Sequence, residues 1–70
     1  MDIIKVNKNN IAMAYKYDNY KYIIATKRSN ADMRPWSCRY VAITGRDTLA
    51  SALVYIARHR TDNLVIITLA

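Results

Sequence analysis

The chain contains no glutamate, glutamine or phenylalanine, and only one each of cysteine, glycine, proline, histidine and tryptophan in its 70 residues. Each scarcity closes off a class of protein. A lone Cys38 forbids an intrachain disulfide and so the disulfide-dense build of small secreted domains. One Cys and one His cannot supply the three or four ligands of a metal centre within one chain. A single Gly45 leaves no glycine-rich phosphate loop. Low glycine and proline also exclude collagen-like and low-complexity chains. No apolar run approaches the roughly 20 residues that span a bilayer, and the first residues carry no apolar stretch of leader length. The expectation is a cytoplasmic protein without membrane contact (the host cytoplasm, were it phage-encoded).

The same scarcities argue against catalysis. General acid–base chemistry often needs paired carboxylates or a histidine oriented by an acid. Here the five acids are Asp2, Asp18, Asp32, Asp47 and Asp62, spread along the chain. His59 sits between Arg58 and Arg60 and reads as a surface residue near a helix end. A Cys38–His59 thiolate dyad, with Arg39 beside the thiol, is the one nucleophilic arrangement available. Burial of Cys38 as a small apolar group is the simpler reading. No enzyme activity, cofactor or metal is expected.

What is present is apolar and basic. Hydrophobic residues make up 53% of the chain, too many for a disordered tail. Eleven Lys and Arg against five Asp give a net charge of +6. At this length one domain, residues 1–70, is the limit, and it buries only about 60% of its unfolded surface.

Periodicity supplies the elements. Asp2–Val6 reads as a strand with Ile4 and Val6 inward, followed by the polar turn cluster 7–10. Ile11–Tyr17 and Tyr20–Thr26 both alternate, with Asp18-Asn19 between them as a two-residue hairpin turn. That register faces Tyr17 with Tyr20, Tyr15 with Tyr22 and Met13 with Ile24. It makes an uncharged tyrosine face, expected to be core or a dimer interface. Lys16 and Lys21 then oppose each other on the second face, an arrangement suited to water or a negatively charged partner. Residues 27–39 form a long connection. Tyr40–Thr44 reads as a fourth strand.

Thr44-Gly45-Arg46-Asp47 matches a capping box, ahead of a helix running to about Arg60 with Leu49, Ala52, Leu53 and Ile56 as its apolar stripe. The free N–H groups of such a helix start also suit one phosphate, although an ordinary cap is the simpler reading. Asn63 reads as a left-handed stop. Leu64–Leu69, apolar on both faces, reads as a central or interfacial strand. The fold class is therefore α+β, a small single domain in the order β-β-β-β-α-β. Its sheet is mostly antiparallel, with one amphipathic helix packed on one face and a crossover from the fourth strand to the fifth. One helix covers only one face of a sheet, so a homodimer is expected to cover the other.

Charge carries the strongest functional signal. Lys27, Arg28, Arg34 and Arg39 lie in or beside the long connection with Trp36 among them, and Arg46, Arg58 and Arg60 add charge around the helix. Clustered cations bind phosphates through counterion release, and an exposed Trp36 suits stacking on an unpaired base. The expected site comprises Lys27, Arg28, Arg34, Trp36, Arg39, Arg58 and Arg60, with Lys16 and Lys21 at a hairpin tip. The expected partner is nucleic acid, RNA favoured over DNA. A solvated basic surface, with Trp36 as a lid on a small core, is the plainer alternative. The competing function is a protein-interaction inhibitor of phage or mobile-element type, an antitoxin or counter-defence protein docking on a target enzyme. Small size, an Ile/Asn/Lys/Tyr-rich composition and the hot-spot residues Tyr, Trp and Arg motivate it. A third and weaker class is a structural oligomer, suggested by the doubly apolar last strand.

Overall fold

β-Branched residues dominate the segments that become the centre of the sheet, where a pleated, packed surface suits their stiff side chains. A computed structural model describes residues 3–27, 39–59 and 63–70. It contains strands β1 (Ile3–Val6), β2 (Ile11–Ala12), β3 (Tyr22–Lys27), β4 (Tyr40–Arg46) and β5 (Leu64–Leu69), with helix α1 (Leu49–Arg58) between β4 and β5. The architecture is α+β in the expected order β-β-β-β-α-β. The five strands lie in the order β1-β5-β3-β4-β2. β3 runs antiparallel to both its neighbours, while β1 pairs parallel with β5 and β2 parallel with β4. The sheet is thus mixed: four strands point one way and β3 alone points the other. α1 links two parallel strands, β4 and β5, with β3 lying between them. No helix among the described residues is long and apolar enough to cross a membrane.

Two adjacent residues of β3 anchor two separate cores. Ile23 lies opposite Ile67 and Ile24 opposite Ile66, one pair on each side of the sheet. All four side chains are fully buried. On the helix side, Ile24 and Ile66 pack with Ala52 and Ile56, flanked by Leu49, Tyr55, Leu64 and Tyr22. On the other side, Ile23, Ala25 and Ile67 pack with Ile11, Ala14 and Ala42, flanked by Ile4, Val6 and Tyr17 among others. Burying each isoleucine stabilises the fold by about 1.5–3 kcal/mol. Leu64–Leu69 is apolar on both faces because it lies between β1 and β3 with a core on either side. The face away from the helix, for which a second copy is the expected cover, is covered in part by the chain itself. The chain's own Ala14 and Tyr17 pack there, drawn from the segment expected to be a hairpin arm.

That hairpin does not form. A turn does close at Asp18-Asn19, with the Tyr20 N–H donating to the Tyr17 carbonyl at 3.1 Å. Among the described non-glycine residues only Met13 has a positive φ, so neither Asp18 nor Asn19 adopts the left-handed geometry of a type I′ turn. A turn with negative φ values splays its arms instead of pairing them. Met13 itself, at φ 67° and ψ 13°, ends β2 after two residues and starts the 3-10 turn Ala14–Lys16. β3 pairs with β4 and β5 instead. The tyrosine face is therefore dispersed: Tyr15 and Tyr20 are exposed, whereas Tyr17 and Tyr22 join opposite cores. An exposed ion pair, Lys8 to Asp18 at 2.6 Å, joins the 3-10 turn Lys8–Asn10 to the turn at Asp18-Asn19.

The helix begins later than the capping-box spacing predicts. Thr44–Arg46 belong to β4, held there by pairing with β3. The N-cap is Thr48, whose Oγ1 accepts from the Ser51 N–H at 3.2 Å. A phosphate site at Thr44-Gly45-Arg46 on a helix start is excluded, because these residues are not at one. α1 ends at Arg58 with His59 as its cap, and Asn63 is not left-handed. The buried stripe also departs from the expected one: Ala52 and Ile56 face the sheet with Tyr55 beside them, while Leu53 is 43% exposed.

Candidate nucleic-acid interface

One irregularity in β4 creates the most distinctive surface of the molecule. Up to Ala42 the register with β3 is regular, but Ala25 faces Ala42 whereas Ile24 faces Thr44, leaving Ile43 as an extra residue. Such a bulge reverses the facing of every residue beyond it, because side chains alternate with a period of two. Tyr40 and Ala42 point to the core away from the helix. Beyond the bulge Thr44 pairs with Ile24 and Arg46 with Tyr22, both of which belong to the helix-side core. The bulge thus turns Arg46 towards α1.

There Arg46 meets an aromatic stack. Its guanidinium carbon lies 5.1 Å from the centroid of the Tyr55 ring, a cation–π contact. The Tyr55 ring in turn stacks on the His59 imidazole, with centroids 4.4 Å apart and planes 29° apart. Tyr55 and His59 are four residues apart on the helix, the spacing that places side chains one above the other. Arg46 Nη1 donates to Thr44 Oγ1 and to the Gly45 carbonyl, both at 2.7 Å, which fixes the guanidinium in place. The neighbouring cleft, about 350 Å³, is lined by Arg46, Ser51, Val54, Tyr55, Arg58 and His59. None of its described lining residues is acidic. Among the described residues the one ion pair is Lys8–Asp18, so neither Arg46 nor Arg58 meets a carboxylate among them.

The expected site residues are only partly assembled. Arg58 lies in this cleft. Lys27 ends β3 opposite Tyr40, the residue after Arg39, so Lys27 and Arg39 share one end of the sheet, both exposed. Lys27 also borders a smaller hollow of about 290 Å³ with Asn63, Leu64 and Val65. Lys16 and Lys21 do not oppose each other on a ribbon. Lys16 is in the Ala14–Lys16 turn, Lys21 precedes β3, and both are exposed. Arg28, Arg34, Trp36 and Arg60, like Cys38, lie outside the described residues. Tyr55 and His59 were not singled out as a binding pair from sequence, although their i, i+4 spacing was the available signal. Arg46 was placed on the helix, and its true position depends on the bulge.

Among the described residues no three His, Cys, Asp or Glu side chains come together as a metal site. Comparison with models of protein families, with curated proteins and with solved structures finds no match to this chain.

Proposed function

We propose that this chain is a small, non-enzymatic nucleic-acid-binding module acting in the cytoplasm, with single-stranded RNA as its preferred partner. The observation that carries this reading is the cleft between α1 and β4, where two arginines with no carboxylate partner among the described residues flank a tyrosine–histidine stack. Arginines neutralise phosphates, and stacked rings offer a surface on which an unpaired base lies. The net charge of +6 supports the reading by drawing a polyanion towards the surface.

The test is a fluorescence-anisotropy titration of labelled single-stranded RNA at rising salt, run beside light scattering to report whether monomer or homodimer binds. The affinity should fall steeply, log K dropping by about 0.7 per neutralised phosphate for each tenfold rise in salt. A flat salt dependence would overturn the reading.

The second reading, an inhibitor that docks on a target protein, draws on the helix. Leu53 and Val54 are 43% and 52% exposed on consecutive positions of α1. Replacement of Leu53, which does not line the cleft, by serine would abolish partner capture under this reading and leave RNA binding intact under the first.

A further inference from the structure

Three features of the cleft beside Tyr55 limit what fits there. The first is the platform. His59 is exposed, and its imidazole is braced by Tyr55, which packs against the buried helix-side core. The second is the arrangement of cations. A guanidinium carries five donors, and the two contacts of Arg46 Nη1 leave Nε and Nη2 without a partner among the described residues. Arg58, three residues beyond Tyr55, lines the same hollow, so two cations border one space. The third is size. About 350 Å³ is near the lower end of ligand-pocket volumes, room for one nucleotide and too little for a base pair with its two backbones.

We infer that this cleft seats a single unpaired nucleotide of a strand, its base stacked on the His59–Tyr55 pair and its phosphate held between Arg46 and Arg58. The inference rests on the nucleic-acid reading above and adds where the strand is held and in what form. The Ser51 hydroxyl, on the wall of the cleft, is the group available to the sugar or the base edge. The selection is against duplexes, because a paired base cannot leave its stack to lie on the imidazole without breaking its pair.

His59 is the only histidine in the chain, so its ring protons form one unambiguous set of NMR signals. The full chain is titrated with a five-nucleotide oligoadenylate, with an RNA duplex of matched charge, and with inorganic phosphate. The oligoadenylate should move the His59 ring protons upfield, as stacking requires, and the duplex and inorganic phosphate should not. His59→Ala replaces an exposed side chain and should weaken oligoadenylate binding roughly tenfold without changing its salt slope. Arg58→Ala should instead reduce that slope by about 0.7. Salt-dependent oligoadenylate binding with unmoved His59 signals and a silent His59→Ala variant overturns the cleft assignment and leaves the nucleic-acid reading standing. Equal affinity for the duplex overturns the requirement for an unpaired base. Inorganic phosphate reproducing the upfield shift reduces the cleft to a simple anion site. Binding of none of the three removes both readings.

Discussion

Tyr20 lies directly over Gly45, so closely that a β-carbon at position 45 would fall 2.6 Å from Tyr20 Cγ and 2.9 Å from Tyr20 Cβ. The only glycine in the chain therefore serves within a strand, one residue from the end of β4, where its missing side chain makes room for a ring. The obstructed atoms are next to the Tyr20 backbone, so a rotation of the ring tip does not clear them. Gly45→Ala should destabilise the fold by about 1–3 kcal/mol in urea denaturation, as overpacking does. In the Gly45→Ala/Tyr20→Ala pair the alanine at 45 should cost much less, giving a coupling that a double-mutant cycle reads directly. Additive effects would show that the two residues do not compete for the same space.

Met13 occupies the left-handed region at φ 67°, where a β-carbon is strained by about 1–2 kcal/mol. Met13→Gly and Met13→Asn should be neutral or stabilising by up to about 1 kcal/mol, since part of the relief is offset by chain entropy for glycine. Met13→Ile should be destabilising, because a β-branched residue tolerates this conformation least. A midpoint for Met13→Ile at or above that of the parent chain would refute the assignment of strain to this position.

Thr48, not Thr44, caps α1. Thr48→Ala should cost about 1 kcal/mol and reduce the far-ultraviolet helical signal near the transition, while Thr48→Asp retains the cap. Thr44→Ala should leave the helix untouched and loosen Arg46, whose Nη1 bonds to Thr44 Oγ1. Thermal melts of the three variants distinguish the two threonines.

Ile23 and Ile24 are neighbours in sequence and belong to opposite cores. Ile66→Val, on the helix side, should cost about 0.5–1.5 kcal/mol, and Ile24→Ala about 2–5 kcal/mol. The larger loss approaches the total stability of a domain this small, so Ile24→Ala should be largely unfolded by circular dichroism at room temperature. By contrast Lys8→Ala removes only an exposed ion pair and should cost no more than about 1 kcal/mol, less at high salt.

Much of the framework was legible in the chain. Ile4 and Val6 alternate as a strand that is covered on one side, and Leu64–Leu69 has the doubly apolar character of a strand between two cores. Ala52 and Ile56 mark the buried side of the helix. These signals are local, and local periodicity survives into the fold wherever burial is one-sided or complete. The hairpin misled because alternation alone does not say which strand a segment pairs with. Ile11–Tyr17 alternates, yet the negative φ values at Asp18 and Asn19 and the left-handed Met13 divert it into turns that cover the sheet. Thr44 misled for a related reason: a capping motif competes with a strand, and the ladder to β3 wins.

The sequence by itself determined the element types and their order, the basic charge, and that an intrachain disulfide and a glycine-rich loop are ruled out. All of these follow from composition and short-range spacing. Only the tertiary structure decided that β3 runs alone against four parallel-running strands, that Ala14 and Tyr17 pack on the second face, and that Arg46 meets Tyr55 and His59. The last depends on one extra residue, Ile43, in one strand. A bulge is defined by the partner strand it slips against, so it leaves no mark in the periodicity of its own segment, yet it sets which face every later side chain reaches.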